Sequence, residues 1–154
     1  MDMRVTCFAA AAALTLSLAG CDRPATGEPV VEVEEAWVRL PAVPGRPAAG
    51  YFTLRAYNAD IRLVRVQSGD AERVELHDTR MEDGVMRMVP LDDAVIPQGR
   101  ELSFEPGGAH AMLFGVADGV RPGGRIALTF TFEGAPPVDV QAEVRAAGED
   151  GHGH

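Results

Sequence analysis

Apolar and polar residues alternate in short segments along the chain from Val31 onwards. Each segment has the length of a β-strand and is bounded by Gly, Pro, Asn or Asp. Beyond the first twenty residues, no segment keeps apolar residues at helical spacing for more than about two turns. This pattern predicts an all-β domain, an antiparallel sandwich or barrel. The nine predicted strands are Val31–Leu40, Tyr51–Tyr57, Ile61–Gln67, Arg73–Thr79, Val85–Leu91, Glu101–Phe104, His110–Val116, Arg125–Phe132 and Val138–Arg145.

Length and charge limit the classes of function that this β-domain can have. A chain of 154 residues suits one globular domain. The net charge of −9 argues against a nucleic-acid partner, because neutralising phosphates requires a basic surface. All 14 basic residues are Arg, so a Schiff-base lysine is excluded.

The N-terminal segment has the features of an export signal rather than of a folded element. An apolar run from Val5 to Leu18 is too short to span a membrane as a helix, which needs roughly 20 residues. It ends in Leu18-Ala19-Gly20-Cys21, which resembles the lipobox of bacterial lipoproteins. We therefore expect a removed signal peptide over residues 1–20, a flexible tether over 21–30, and a lipidated Cys21 that anchors a periplasmic domain to the cell envelope.

The two cysteines then leave the folded domain without a thiol. Cys7 lies in the predicted signal peptide, and Cys21 would carry the lipid. Thiol–disulfide exchange, a blue-copper centre and a cysteine nucleophile are excluded for such a domain. Neither a serine nucleophile with a suitably placed histidine nor a phosphate-binding glycine loop is found in the sequence, and we expect a protein that is not an enzyme.

Histidine and methionine are concentrated in one part of the predicted domain. Between Val31 and Arg145, every residue of these two types falls between positions 77 and 112. His110 and Met112 are two residues apart in a predicted strand, so their side chains lie on one face. A hairpin centred between Glu82 and Asp83 would place position 77 opposite position 88. The residues of this cluster are His77, Met81, Met86, Met88, His110 and Met112.

Two imidazoles and two thioethers without a thiolate form a soft, uncharged set of donors. Thioether sulfur prefers Cu(I), and imidazole also suits copper. Zinc normally takes His, Cys or carboxylate ligands, and calcium or magnesium requires oxygen ligands. The alternative is structural, since methionine commonly fills gaps in a core and a single strand histidine is commonly structural. The concentration of these residue types in one segment favours a Cu(I) site made by His77, Met88, His110 and Met112.

The spacing H-x10-M-x21-H-x-M that these four residues form resembles the signature of the PCu(A)C family of periplasmic copper chaperones. Gly84-Val85-Met86-Arg87-Met88 and Pro106-Gly107-Gly108-Ala109-His110-Ala111-Met112 also resemble blocks of that family. The resemblance covers roughly residues 31–145. One difference is Asp78, where the family often has a Met after the first His.

This resemblance implies a cupredoxin-like Greek-key β-sandwich over residues 31–147 that binds one Cu(I). It further implies delivery of that copper to a cuproenzyme, with the copper A centre of cytochrome c oxidase subunit II as the usual acceptor. Neutral ligands should hold Cu(I) more weakly than thiolates do, so transfer to a cysteine-ligated acceptor is expected to be favourable.

Several alternatives remain open at this stage. The same site could serve a copper-sequestering or resistance lipoprotein without a dedicated acceptor, or the chain could be a structural envelope β-domain. The tail over residues 148–154 contains His152 and His154 with neighbouring carboxylates, which could bind Cu(II). Whether Met81 or Met86 assists the Cu(I) site is not determined by the spacing.

Overall fold

A computed structural model describes residues 30–149, and this part of the chain contains strands, turns and bends without any helix. Accordingly, residues 30–149 include no helix that is long and apolar enough to cross a lipid bilayer. The predicted signal peptide, the predicted lipid site at Cys21 and the predicted Cu(II) ligands His152 and His154 lie outside the described residues. These three remain predictions from the sequence.

Ten strands make up the described part of the chain, and their bounds follow the alternating pattern of the sequence. They are β1 (Val31–Arg39), β2 (Ala48–Ala56), β3 (Ile61–Gln67), β4 (Arg73–Glu82), β5 (Val85–Pro90), β6 (Ala94–Ile96), β7 (Glu101–Phe104), β8 (His110–Phe114), β9 (Arg125–Glu133) and β10 (Val138–Arg145).

The strands form one hydrogen-bonded sheet in the order β5-β4-β8-β2-β1-β10-β9-β3-β6, and β7 pairs with β2 off this path. The β1–β10 pair is parallel, whereas the other pairs are antiparallel. Strand β2 pairs along the same edge with β8 through Ala48–Gly50 and with β7 through Phe52–Arg55. This arrangement holds β8, the strand that carries His110, against the centre of the fold.

A single hydrophobic core joins eight of the ten strands. Buried side chains of β1, β2, β3 and β6–β10 form one cluster. At its centre Phe52 stacks on Phe104, with ring centroids 4.4 Å apart, and meets the ring of Phe130 edge-on at 4.8 Å. Strands β4 and β5 contribute no fully buried apolar side chain to this cluster. They form a two-stranded extension at one end of the sheet, in which the partly buried Val74 and Leu76 of β4 pack against the core.

The predicted all-β fold is confirmed, with differences in the strand assignment. Strand β4 continues to Glu82, three residues beyond its predicted end at Thr79. The structure adds β6, which the sequence pattern missed because this strand has only three residues and lies directly before a turn that is closed by a hydrogen bond from the Arg100 N–H to the Pro97 carbonyl. Strand β2 begins at Ala48 rather than Tyr51, since the small residues before Tyr51 are used to pair with β8.

The predicted register of the β4–β5 hairpin was wrong by two residues. Asp83 and Gly84 have φ values of 51° and 77°, and both are therefore in the left-handed conformation that a two-residue type I′ turn requires. The turn pairs Glu82 with Val85 and places His77 opposite Pro90, not opposite Met88. Because side chains alternate between faces, a shift of two residues leaves Met88 on the same face as His77.

Replacement of Gly84 by alanine should loosen this hairpin through the backbone alone. A Cβ at Gly84 would meet nothing within 4 Å, so the cost arises from the φ of 77°. For an L-residue that cost is about 1–2 kcal/mol. We expect Gly84→Ala to lower the free energy of unfolding in urea by this amount. Gly119→Ala is the matched control, since Gly119 also has open space around it but no positive φ; an equal loss in both variants would contradict the prediction.

Candidate metal centre

The structure places all four predicted ligands on one face of the three-stranded ribbon formed by β5, β4 and β8. His77 lies directly opposite His110, and Met88 lies opposite Thr79, two residues further along β4. Met112 lies two residues beyond His110 on β8. Since residues paired across an antiparallel ladder share a face, and so do residues two apart on a strand, the four side chains emerge on the same side.

The two imidazole rings are close neighbours. Their centroids lie 6.2 Å apart and their planes are inclined by 23°. Bonds from imidazole nitrogen to a metal such as zinc are about 2 Å long. At this separation, both rings can bind one ion only if a nitrogen atom of each ring points towards the other ring.

The ring of His110 is held by the backbone just before β8. Its Nδ1–H donates a hydrogen bond of 2.9 Å to the carbonyl oxygen of Gly108. A neutral imidazole with its proton on Nδ1 carries a lone pair on Nε2. The residue is only 8% exposed. His110 is therefore a fixed ring that presents Nε2 as a potential ligand.

A tight turn prepares the Gly108 carbonyl for this role. The Gly108 N–H donates to the Glu105 carbonyl at 3.0 Å, which closes a four-residue turn. Pro106 and Gly107 occupy its central positions, and Gly107 has a φ of 88°. Pro followed by a left-handed Gly is the signature of a type II turn. The turn before β8 thus sets the orientation of the His110 ring.

A carboxylate holds the ring of His77. The side chain of His77 is 15% exposed, and its Nε2–H donates to Oε2 of Glu75 at 3.1 Å. This hydrogen bond leaves the lone pair on Nδ1. The Nδ1 atom is shielded from solvent and has no hydrogen-bond partner among the described residues. A buried acceptor without a partner is costly, and a bound cation would relieve that cost.

Glu75 is itself kept ionised by its neighbours. Its pKa is lowered, first by a hydrogen bond from Arg73, whose Nε lies 2.8 Å from Oε1, and second by the hydrogen bond from His77. Desolvation acts in the opposite direction and is outweighed. Because the pKa of Glu75 is lower in the folded state, its ionised carboxylate contributes to folding stability at neutral pH. This contribution is lost as the pH falls through the lowered pKa.

The two methionines of the predicted set differ in exposure. Met88 is 53% exposed, whereas Met112 is half-buried opposite Glu75 and Ala49. Within residues 30–149, no three His, Cys, Asp or Glu side chains are grouped so that they could hold a metal ion. The ribbon face instead offers two imidazoles beside thioethers, and this donor set matches the chemistry of Cu(I).

Sequence reasoning missed two groups that orient the rings, namely the side chain of Glu75 and the carbonyl of Gly108. Both groups could have been identified from the sequence. Glu75 precedes His77 by two residues on a strand and therefore shares its face. Pro106-Gly107 is typical of a type II turn directly before His110.

Comparison with known proteins gives one family match and related sequences. Residues 31–144 match the model of the family described as "Putative lipoprotein LpqE-like". A protein named "Putative lipoprotein Lxx21020", from Leifsonia xyli subsp. xyli (strain CTCB07), is 29% identical over 143 residues. That alignment covers 87% of this chain and 86% of the relative.

Solved structures of PCuAC domains have the same fold. The copper-bound PCuAC domain from PmoF2 matches with a TM-score of 0.64 and 24% identity, over 76% of this chain and 93% of that domain. The solution structure of CuI-DR1885 from Deinococcus radiodurans matches with a TM-score of 0.59 and 27% identity, over 81% of this chain and 84% of that protein. These matches confirm the predicted cupredoxin-like fold.

The hydrogen bonds of the two histidines predict different tautomers for the two rings. Nitrogen-15 NMR of the metal-free protein near pH 8 should show His110 protonated on Nδ1 and His77 protonated on Nε2. Glu75→Gln should weaken the preference of His77, because the amide accepts a hydrogen bond less strongly than a carboxylate. It should leave His110 unchanged, since the Gly108 carbonyl is unaffected. A shared tautomer for both rings would contradict the structure.

Proposed function

The chain belongs to the LpqE-like family, and we propose that it is a copper chaperone of the cell envelope that binds one Cu(I) through His77, Met88, His110 and Met112. The main support for this proposal is that His77 lies directly opposite His110. In each ring one nitrogen donates a hydrogen bond, so the second nitrogen of the same ring is unprotonated. The fold shared with copper-bound PCuAC domains supports the choice of metal.

In this proposal the imidazoles form the fixed part of the site. His110 would bind through Nε2 and His77 through Nδ1, the buried nitrogen that has no hydrogen-bond partner. Metal-bound histidine commonly donates its other N–H to a carboxylate or a backbone carbonyl, which fixes the ring and raises its basicity. Glu75 and the Gly108 carbonyl fulfil these two roles.

The methionines would complete the coordination and make it reversible. Thioether sulfur needs no loss of a proton, and it favours Cu(I) over Cu(II). Met88 is more than half exposed, so an incoming ligand can reach the ion from its side while the buried His110 still holds it. We propose that exchange begins with displacement of Met88.

Delivery to a cuproenzyme follows from the charge of the ligands. Four neutral donors leave the positive charge of Cu(I) uncompensated, whereas a thiolate acceptor neutralises it. Transfer to a cysteine-ligated centre is therefore favourable, and the proposed acceptor is the copper A centre of cytochrome c oxidase subunit II. The family description supports a lipoprotein; we propose anchoring through Cys21 and a periplasmic location.

The substitution Met88→Leu distinguishes between a copper-binding role and a structural role for Met88. The substitution keeps an apolar side chain of similar size but removes the sulfur. We expect Cu(I) affinity to fall about tenfold or more, equivalent to 1.4 kcal/mol, in an anaerobic competition titration with a chromophoric chelator. The free energy of unfolding should change by less than about 0.5 kcal/mol, because the side chain is largely exposed.

Val85→Leu provides the matched control for this titration. Val85 lies on the same strand, is similarly exposed and points to the opposite face, so Cu(I) affinity should not change. If Met88→Leu lowers stability but leaves Cu(I) affinity intact, the chain is a structural β-domain and the proposal fails.

Delivery predicts one-way transfer of the ion. Cu(I)-loaded protein is mixed anaerobically with the isolated copper A domain of a cytochrome c oxidase subunit II, and the two proteins are separated and analysed for copper. We expect most of the copper on the acceptor, and none on a control acceptor whose cysteines are replaced by serine. Retention of the copper on this chain in both mixtures would indicate sequestration instead of delivery.

A further inference from the structure

The face that carries the four proposed ligands continues beyond them to the tip of the β4–β5 hairpin. There, Met81 lies directly opposite Met86, and Met88 follows two residues further along β5. All three side chains emerge on the same face as His77, since they are paired across the ladder or two residues apart. Three thioethers therefore follow one another from the tip towards the His77–His110 pair.

These methionines are not used for packing. Met81 is 64% exposed, Met86 is 56% exposed and Met88 is 53% exposed. A methionine that fills a gap in a core would be buried. Core packing therefore does not explain why three methionines lie next to one another on this surface.

The geometry of the pair suits convergence on one ion. Cβ atoms of directly opposite residues are about 4.5–5.5 Å apart, and diagonal neighbours about 7–8 Å, which long side chains can span. Methionine has three rotatable bonds that allow its sulfur to adjust. Met81 and Met86 can thus bring their sulfur atoms to a common point, with Met88 within reach as a third donor.

Between Asp78 and Arg87, the charged side chains at the paired positions of the ladder are on its opposite face. Asp78 and Arg80 form an ion pair there, and so do Glu82 and Arg87. Thr79 is the polar side chain that accompanies the methionines on their own face. Neutral sulfur donors at these positions favour a soft monovalent ion over a hard divalent one.

We propose that Met81 and Met86 form a second and weaker Cu(I) site at the hairpin tip, with Met88 as a third donor only when it is not bound at the first site. This inference rests on the proposed function of the first site, with which it shares Met88. It assigns a purely thioether site to the exposed end of the ribbon, separate from the imidazole pair.

The test is an anaerobic Cu(I) titration of the full chain against a chromophoric chelator, with two double variants. The unchanged protein should bind two equivalents of Cu(I), one tightly at the first site and one weakly at the hairpin tip. Met81→Leu with Met86→Leu should lose the weak equivalent and keep the tight one. His77→Ala with His110→Ala should lose the tight equivalent and keep a weak one whose X-ray absorption shows sulfur neighbours without nitrogen.

Control and contradicting outcomes separate the two proposals. Val85→Leu adds a leucine to the opposite face of the same hairpin and should leave both equivalents unchanged. If the double leucine variant keeps the weak equivalent, the second site is refuted while the first stands. If the double alanine variant keeps the tight equivalent, the site proposed under the function is refuted instead.

Discussion

The antiparallel register between β4 and β8 is the constraint on which the ribbon face depends. It places His77 opposite His110 and Glu75 opposite Met112, so two residues of each strand face the same side at adjacent positions. The register is set from the core outwards, because β8 pairs with β2 through residues that include Gly50 and Ala111. A Cβ at Gly50 would lie 3.2 Å from Leu113 Cδ1 and 3.4 Å from Ala111 Cβ, so the close approach of these strands uses the missing side chain.

Support for the ribbon decreases with distance from that core. His110 is buried on a strand that packs centrally, whereas β4 and β5 supply only partly buried side chains. The arrangement gives one rigid ring and progressively more exposed sulfur donors. In the proposed carrier, this combination would keep the ion on the buried ring while the exposed ligands exchange.

The alternation of apolar residues predicted most of the fold, because each strand has one face towards the core. It could not reveal β6, whose three residues are too few for a period, or the early start of β2, which depends on pairing with a distant strand. The ribbon face was predictable because side-chain alternation has a period of two, so an error of two residues at Asp83-Gly84 did not move Met88 to the other side. The orientation of the two rings was not predicted, since it depends on the partners Glu75 and Gly108.

The two rings differ in what evolution can change about them. The proton of His110 is held by a main-chain carbonyl, which every amino acid possesses, so side-chain replacement at Gly108 does not remove that acceptor. The proton of His77 is held by the side chain of Glu75, which a single codon change can replace. If His77 binds Cu(I) as proposed, selection can change the basicity of its ring through residue 75 while the hydrogen bond of His110 stays the same, and homologous proteins with this fold would then differ in their affinity for Cu(I).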